Sequence, residues 1–583
     1  MYGTQLNKYS NHYEGTTTFK YYLNSESIKA LKSWGTNIIR IGLEIDQVRD
    51  KEIMQDYLDT IDLLIENDIY VLALLWNNEN INDNVEIAKE YFNILAEKYG
   101  NNPCILYEIA NEPLDTTEWS EIQKYSNTII PIIREYSKDS IIIIPNPSWD
   151  GRPNLVKLNE LVETKNIMVA YHMYTGQHLT VSNISYLQEA INNNIPIFVT
   201  EWGTTLGNGS DGFYEDYSNA FVRFMDDNKL SWCNFYITDV NFRVDQGLGE
   251  PEYAGIVQHN KWNNSLSDDI LTASGRYIKN ILQGTCDSYN VGAYAIMTER
   301  DDNVAFWQDE YRKKITKIEF KKDKNIPTEA LISWDISLLI KDKVFAYIIQ
   351  TNGMYELYIV SDNIINLPIK SGSMFKDFVE LKSITFNNVV STRNCNDLSY
   401  FFRGCLNLEN INEISNWDTS NVMWLYDVFT NCESLKEIDL SGWNTSKVIG
   451  MINMFNSCKN LEKIVGIGNF NVSNVISFNA MFMGCDNLIN LDLKNWNMKN
   501  VQDLNSCFFN MTNLENLYLN NVEFNSEIMK NNIKDLFGYI DSEANIYVKN
   551  LDVAKFIFNN LGDNHEKYTV YYGEEGNWTE YIT

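Results

Sequence analysis

No stretch of the 583-residue chain is apolar for long enough to cross a bilayer. Runs such as Val71–Trp76 and Ile141–Ile144 fall far short of the roughly 20 residues a spanning helix needs. Positive charge is scarce as well: Lys and Arg number 47 against 78 Asp and Glu, a formal balance of −31. A chain so acidic offers no basic surface for the phosphates of nucleic acid or for an anionic membrane, whereas a neutral glycan is indifferent to the charge. Residues 1–30 show neither the basic nor the apolar stretch of an export signal. CxxC pairs and the Cys/His spacings of metal sites are also missing, so the nine cysteines read as buried thiols.

What is present is alternation. The length implies two or more domains. From residue 35 to 237 apolar strand runs take turns with amphipathic helical stretches. The strands read as Thr36–Gly42, Ile69–Leu75, Cys104–Ala110, Ser140–Pro145, Ile167–His172, Pro196–Glu201 and Trp232–Ile237. Helical spacing of apolar residues between them, as in Ile53, Tyr57, Ile61 and Leu64, implies a parallel sheet with helices outside it. Seven such strands and one more near the N-terminus close a (β/α)₈ barrel. Only Met1–Leu6 are available for that first strand, so the chain is expected to begin inside it, with upstream sequence and any export signal missing.

Two strand ends carry the chemistry. Cys104–Ala110 is apolar and stops at Asn111-Glu112-Pro113, because proline has no N–H for the ladder. Ile195–Thr200 likewise delivers Glu201 at its end. Parallel α/β folds place ligands at the carboxyl ends of strands, and two carboxyl groups facing each other are the parts needed for acid-assisted glycosidic hydrolysis. A literal G-x-G-x-x-G at Gly207–Gly212 lacks the βαβ unit and downstream acid of a dinucleotide site, and reads as a glycine-rich loop.

Several motifs together carry a resemblance: Leu31-Lys-Ser-Trp-Gly-Thr-Asn-Ile-Ile-Arg40, Tyr107-Glu-Ile-Ala-Asn-Glu-Pro113, Tyr171-His-Met-Tyr174, Phe198-Val-Thr-Glu-Trp-Gly203 and Ser231-Trp-Cys-Asn-Phe235. In this order they resemble the catalytic domain of glycoside hydrolase family 5, the retaining enzymes that include bacterial endo-β-1,4-glucanases. The resemblance implies Glu112 as general acid/base and Glu201 as nucleophile. It implies Asn111 as the partner of a sugar 2-hydroxyl, Arg40 and Tyr174 as the groups that keep the nucleophile ionised, and His172 as the histidine beside the acid/base. Substrate contacts are expected from Trp76, Trp149, Trp202 and Phe235. Two positions depart from the family's pattern. Leu74-Leu-Trp76 stands where Asp-Trp-His is usual, and Phe235 replaces the platform tryptophan.

Residues 284–292 read as a linker and 293–371 as a small β-rich region, with strand patterns at Ala293–Ile296, Lys317–Phe320, Val344–Gln350 and Tyr355–Val360. Beyond them lies an internal repeat. Phe378, Cys405, Cys432, Cys458, Cys485 and Met511 share one register at intervals of 27, 27, 26, 27 and 26 residues. Phe402, Phe429, Phe455, Phe482 and Phe508 precede the last five by three, and Leu408, Leu435, Leu461, Leu488 and Leu514 follow by three. Apolar positions fixed in every turn are what a solenoid core requires, since each repeat buries its face on its neighbours. Trp417, Trp443 and Trp496 fit a buried ladder better than a glycan-binding face. With Trp-Asn-Thr-Ser-x-Val and Met-Phe-x-x-Cys-x-Asn-Leu as its signature, the segment resembles BspA-type leucine-rich repeats of surface proteins.

The expected organisation is therefore a barrel over 1–283, the linker, the β-rich region, repeats over 372–525 and a C-terminal cap over 526–583. The expected activity is that of a retaining endo-β-glycosidase acting on a β-1,4-linked polysaccharide, with no metal or cofactor and an extracellular or cell-surface location. The repeats are expected to bind a glycan or protein. An adhesin whose barrel has lost turnover is the alternative from another class, and a mannan or xyloglucan hydrolase is the alternative within it.

Overall fold

The structure, a computed structural model, describes residues 2–7, 19–77, 80–100, 102–206, 213–237, 255–258, 261–285, 295–302, 304–339, 343–530 and 533–582. Gly207–Gly212 and residues 286–292 of the expected linker lie outside them. The chain divides into two compact units, Met1–Gly292 and Ala293–Thr583.

The first unit is a closed barrel of eight parallel strands in chain order: β1 (Tyr2–Asn7), β2 (Ile38–Glu44), β3 (Tyr70–Trp76), β4 (Ile105–Glu108), β5 (Ile142–Ile144), β6 (Ile167–Tyr174), β7 (Ile197–Gly203) and β8 (Ser231–Asn234). β1 pairs with both β2 and β8 and so closes the ring. Helices follow the strands outside, among them α1 (Ser25–Trp34), α2 (Lys51–Glu66), α3 (Val85–Tyr99) and α4 (Trp119–Tyr136). Each begins and ends for a local reason. In α1 the Asn24 side chain accepts the N–H groups of Glu26 and Ser27, while Ile28, Leu31 and Trp34 form the buried face. It stops at Gly35, whose φ is +105° and where a Cβ would sit 2.4 Å from the Leu282 carbonyl oxygen, so only glycine fits.

One layer of the barrel interior is an apolar plug drawn from seven successive strands: Ile38, Leu72, Leu106, Ile143, Ala170, Phe198 and Cys233. Side chains alternate along a strand, so the residue two positions on faces inward again, one layer nearer the carboxyl ends. On β2, β4 and β6 those residues are Arg40, Glu108 and His172. On β7 the register slips by one: Ala170 pairs with Phe198, but His172 pairs with Glu201. This irregularity, of the kind that re-aims side chains at barrel rims, brings Glu201 level with His172.

In the second unit, β9 (Ile315–Lys321), β10 (Ile332–Asp335), β11 (Phe345–Thr351) and β12 (Met354–Val360) lie in a sheet ordered β10-β11-β12-β9. The same sheet continues through Ser383–Thr385 and Asn410–Asn412 of the first repeats. One apolar core runs from Ala295 to Val570. The β-rich region, the repeats and the cap share this core, and the sheet runs across residue 371. Within the repeats, turn stacks on turn. Phe402, Phe429, Phe455, Phe482 and Phe508 form a ladder with ring centroids 5.5–6.1 Å apart. Trp417, Trp443 and Phe470 form a second. The Trp443 and Trp496 indole N–H groups donate to the carbonyls of Ile414 and Ile467, so the ladder is internal. The thiols of Cys405, Cys432, Cys458 and Cys485 donate to carbonyls of Phe375, Phe402, Phe429 and Phe455. Repetition of the cysteine is explained by that buried niche.

Candidate active site

Charged side chains at the mouth of the barrel are paired with one another among the described residues. Arg40, fully buried on β2, donates from Nε and Nη2 to both oxygens of Glu108 at 2.6 and 2.9 Å. Its Nη1 donates to Glu201 Oε2 at 2.9 Å and its Nη2 also to Asn111 Oδ1 at 2.7 Å. The Tyr174 hydroxyl donates to the other Glu201 oxygen at 2.6 Å. His172 Nδ1 lies 2.7 Å from Glu112 Oε1, and its Nε2 lies 3.0 Å from the Thr200 hydroxyl. Asp150 Oδ2 is 3.8 Å from the same Nε2 and accepts the backbone N–H of Glu112 at 3.0 Å. One oxygen of Glu112, one of Glu201 and a ring nitrogen of His172 lie within 4.8 Å of one another.

β4 ends at Glu108, so Glu112 stands four residues past the strand, in the left-handed region at φ +35°. Glu201 lies inside β7, two residues before its end. The two carboxyl groups therefore reach the same space from a loop and from a strand.

Four carboxyl groups, those of Glu108, Glu112, Asp150 and Glu201, face two cationic groups, Arg40 and His172. Full ionisation leaves two uncompensated negative charges in a largely dry site, and the cluster responds by holding protons. Burial by itself lowers the basicity of Arg40, but the charge and hydrogen bonds of Glu108, with Glu201 beyond, raise it well above the ordinary value. Burial likewise opposes protonation of His172, yet the carboxylates of Glu201, Glu112 and Asp150 hold it at about 9. Asp150 is pushed up to about 7 by burial, against the pull of His172 and the Asn146 N–H. Glu201 is raised by burial, with His172, Arg40 and the Tyr174 hydroxyl drawing it back.

The His172 shift has a consequence for stability. Its folded value of about 9 lies above the ordinary 6.5, so the stabilisation is complete below pH 6.5 and is lost as pH rises through 9. The transition of the N-terminal unit is expected at a lower temperature at pH 9 than at pH 6.5. Calorimetry of the whole chain reads this, and the difference shrinks in His172→Gln. A pH-independent transition contradicts the assigned contacts.

Arg40, Asn111, Glu112, His172, Tyr174 and Glu201 are thus brought together. Arg40 pairs with Glu108 and Glu201. Trp76 packs with Tyr174, Phe235 and Tyr236, and the Arg40 guanidinium lies 5.8 Å from its ring centroid. Phe235 meets Tyr174 edge-on at 5.9 Å. Trp149 is half exposed, at 50%. Trp202 is the correction: it is fully buried, edge-on to Trp232 at 5.5 Å and beside Phe221, and has no face to offer a sugar. The register slip on β7 that turns Glu201 into the barrel leaves Trp202 facing outward. Glu108, Asp150, Asn146 and Thr200 are site residues that the sequence reading passed over. An acid inside the apolar run Ile105–Ile109 was the available signal for Glu108. The donor atoms of Glu112, His172 and Glu201 are close enough to hold a metal ion.

Paired carboxyl groups at this spacing, one beside an imidazole and one beside a guanidinium and a phenol, are the parts that glycosidic cleavage uses. Residues 2–241 match the family described as Cellulase (glycosyl hydrolase family 5). Residues 372–466 and 396–522 match one described as a Mycoplasma protein of unknown function. Cellulase CelDZ1 of a Thermoanaerobacterium species is 33% identical over 259 residues, 41% of this chain and 66% of the relative. An endoglucanase of Clostridium saccharobutylicum is 31% identical over 294 residues, 48% of this chain and 62% of the relative. The solved structure of cellulase Cel5C_n is 27% identical with a TM-score of 0.42, covering 48% of this chain and 85% of that one. The chain spans no more than about two thirds of the length of these curated relatives. The N-terminal unit carries a glycoside hydrolase domain. Within that class it is a family 5 cellulase domain.

Proposed function

We propose that this protein is a retaining endo-β-1,4-glucanase, carried by the approach of Glu112 and Glu201 to within 4.8 Å across the barrel mouth. Retaining enzymes hold their two carboxyl groups about 5 Å apart, whereas inverting enzymes leave room for a water between them. Glu201 attacks the anomeric carbon. Its two oxygens are already fixed by Tyr174 and Arg40, which aims a remaining lone pair and favours the bare carboxylate. Glu112 protonates the departing glycosidic oxygen, then takes a proton from the water that releases the glycosyl-enzyme. His172, in contact with Glu112, orients that carboxyl group. Asn111, held by Arg40, faces the sugar 2-hydroxyl. Trp76, Trp149 and Phe235 supply aromatic surface for pyranose rings.

Residues 372–525 serve in this reading as BspA-type leucine-rich repeats that attach the enzyme to a surface or a glycan, with 526–583 as their cap. A polysaccharide too large to enter a cell places the enzyme outside it or on its surface.

The test is the stereochemistry of hydrolysis together with one variant. Proton NMR of cellooligosaccharide cleavage is expected to show the β-anomer first. Glu112→Gln is expected to lower kcat/KM on cellooligosaccharides by about 10²–10⁴-fold, the ordinary contribution of acid–base catalysis. An α-anomer formed first rejects the retaining mechanism. Hydrolysis confined to mannan or xyloglucan reassigns the substrate, and no turnover by the intact chain on any β-glycan favours a binding protein.

A further inference from the structure

We infer that Asp150 is a positioning residue for proton delivery, clamping the backbone of Glu112 through a buried carboxylate. The inference rests on the reading of Glu112 as acid/base and adds a residue to it.

The turn after β5 runs Asn146-Pro-Ser-Trp-Asp-Gly151, and three successive non-glycine residues in it, Ser148, Trp149 and Asp150, have φ of +59°, +53° and +60°. Left-handed L-residues cost about 1–2 kcal/mol each, so a run of three persists only where other contacts hold it. Those contacts tie it to the end of β4. The Trp149 N–H donates to the Pro113 carbonyl at 2.8 Å. The Asp150 carboxylate accepts two backbone N–H groups, Asn146 on Oδ1 at 2.7 Å and Glu112 on Oδ2 at 3.0 Å. The Asn146 amide in turn donates to the Ala170 carbonyl of β6 at 2.7 Å. Glu112 is itself left-handed at φ +35°, and its N–H is the group through which Asp150 reaches it.

The arrangement explains why a fully buried acid sits behind another acid. Asp150 is 0% exposed. The charged groups around it are His172 at 3.8 Å, with Glu112 and Glu108 nearby. A carboxylate is the side chain that offers an acceptor to each of two diverging N–H donors. An amide at 150 offers one oxygen and turns its NH₂ against the other donor. Asp150→Asn therefore unfastens one end of the clamp while keeping size and shape.

The experiment compares Asp150→Asn with Glu112→Gln in the full chain, on two substrates of unequal demand for acid. Cellooligosaccharides have a poor leaving group and need the proton. Dinitrophenyl β-cellobioside has a good one and does not. Asp150→Asn is expected to lose about 10–100-fold in kcat/KM on cellooligosaccharides, the range for residues that orient a primary group, and less than about threefold on the dinitrophenyl substrate. Product-inhibition constants for cellobiose stay unchanged. Equal losses on both substrates, or no loss on either, overturn the inference. When Glu112→Gln shows the selectivity and Asp150→Asn does not, only the inference falls. When Glu112→Gln lacks it too, the acid/base reading falls and the inference with it. A measurement on the unmodified chain covers a variant that does not fold. Hydrogen exchange of the Glu112 amide is expected to be slow, and exchange at an open-loop rate overturns the clamp.

Discussion

Glu201→Gln is expected to abolish turnover, lowering kcat by at least about 10⁴-fold, the scale on which a covalent nucleophile is missed. The carboxamide is nearly isosteric, so the barrel mouth stays intact, but its oxygen cannot form the glycosyl-enzyme. Its NH₂ would meet either the Arg40 Nη1 or the Tyr174 hydroxyl, both of which now donate to Glu201. The loss extends to dinitrophenyl β-cellobioside, because a good leaving group removes the need for an acid and not for a nucleophile. That separates the two glutamates: Glu112→Gln spares kcat/KM on the activated substrate, while its kcat falls because release of the glycosyl-enzyme still needs the base, and Glu201→Gln spares neither. Chemical complementation sharpens the assignment. In Glu201→Ala, added azide is expected to return an α-glycosyl azide by direct displacement, and in Glu112→Ala a β-glycosyl azide by trapping the intermediate. A β-azide from Glu201→Ala would falsify the assignment of the nucleophile.

How much of this was legible in the chain differs from feature to feature. The strand ends at Asn111-Glu112-Pro113 and at Glu201 are local patterns, set by an apolar run and a ladder-breaking proline, and local patterns survive folding. Repeats were readable for the same reason: a column such as Cys405, Cys432, Cys458 and Cys485 is a one-dimensional signal. The pairing of Glu108, whose place inside an apolar run was visible, and the role of Asp150 were not, because both lie in partners far along the chain. Arg40 is on β2, and Asp150 meets Glu112 only after β4 and β5 pair. The slip between β6 and β7 is equally invisible, yet it decides that Glu201 stands opposite His172. Trp202 is buried outside the barrel through the same slip, because unbroken alternation from the inward Phe198 would have turned position 202 inward. The boundary near residue 371 marks a change of pattern and no break in the core, because the first repeat strands hydrogen-bond to the sheet before them.

Arg40→Met is expected to cost both stability and activity. It removes the guanidinium that pairs with Glu108 and Glu201, whose side chains are 0% and 4% exposed. Removing one partner of a buried ion pair costs about 3–5 kcal/mol, since the remaining charge has neither water nor a counter-ion. The orphaned carboxyl groups will take up protons, and for Glu201 that means loss of the nucleophile: burial already raises it, and Arg40 is among the groups opposing that rise. Activity at neutral pH should therefore fall by about 10²-fold or more, each lost pKa unit being worth about tenfold in ionised nucleophile. It should recover partly toward alkaline pH. A double variant distinguishes charge from packing. Glu108→Gln in the Arg40→Met background removes one orphaned charge and is expected to restore part of the stability, while the same change in the native chain destabilises it by stripping Arg40 of its two-point partner. Denaturant unfolding of the four proteins gives the coupling energy of that square. Independent, additive losses would mean that Arg40 acts as a space-filler, and the ionised nucleophile of the proposed mechanism would lose its support.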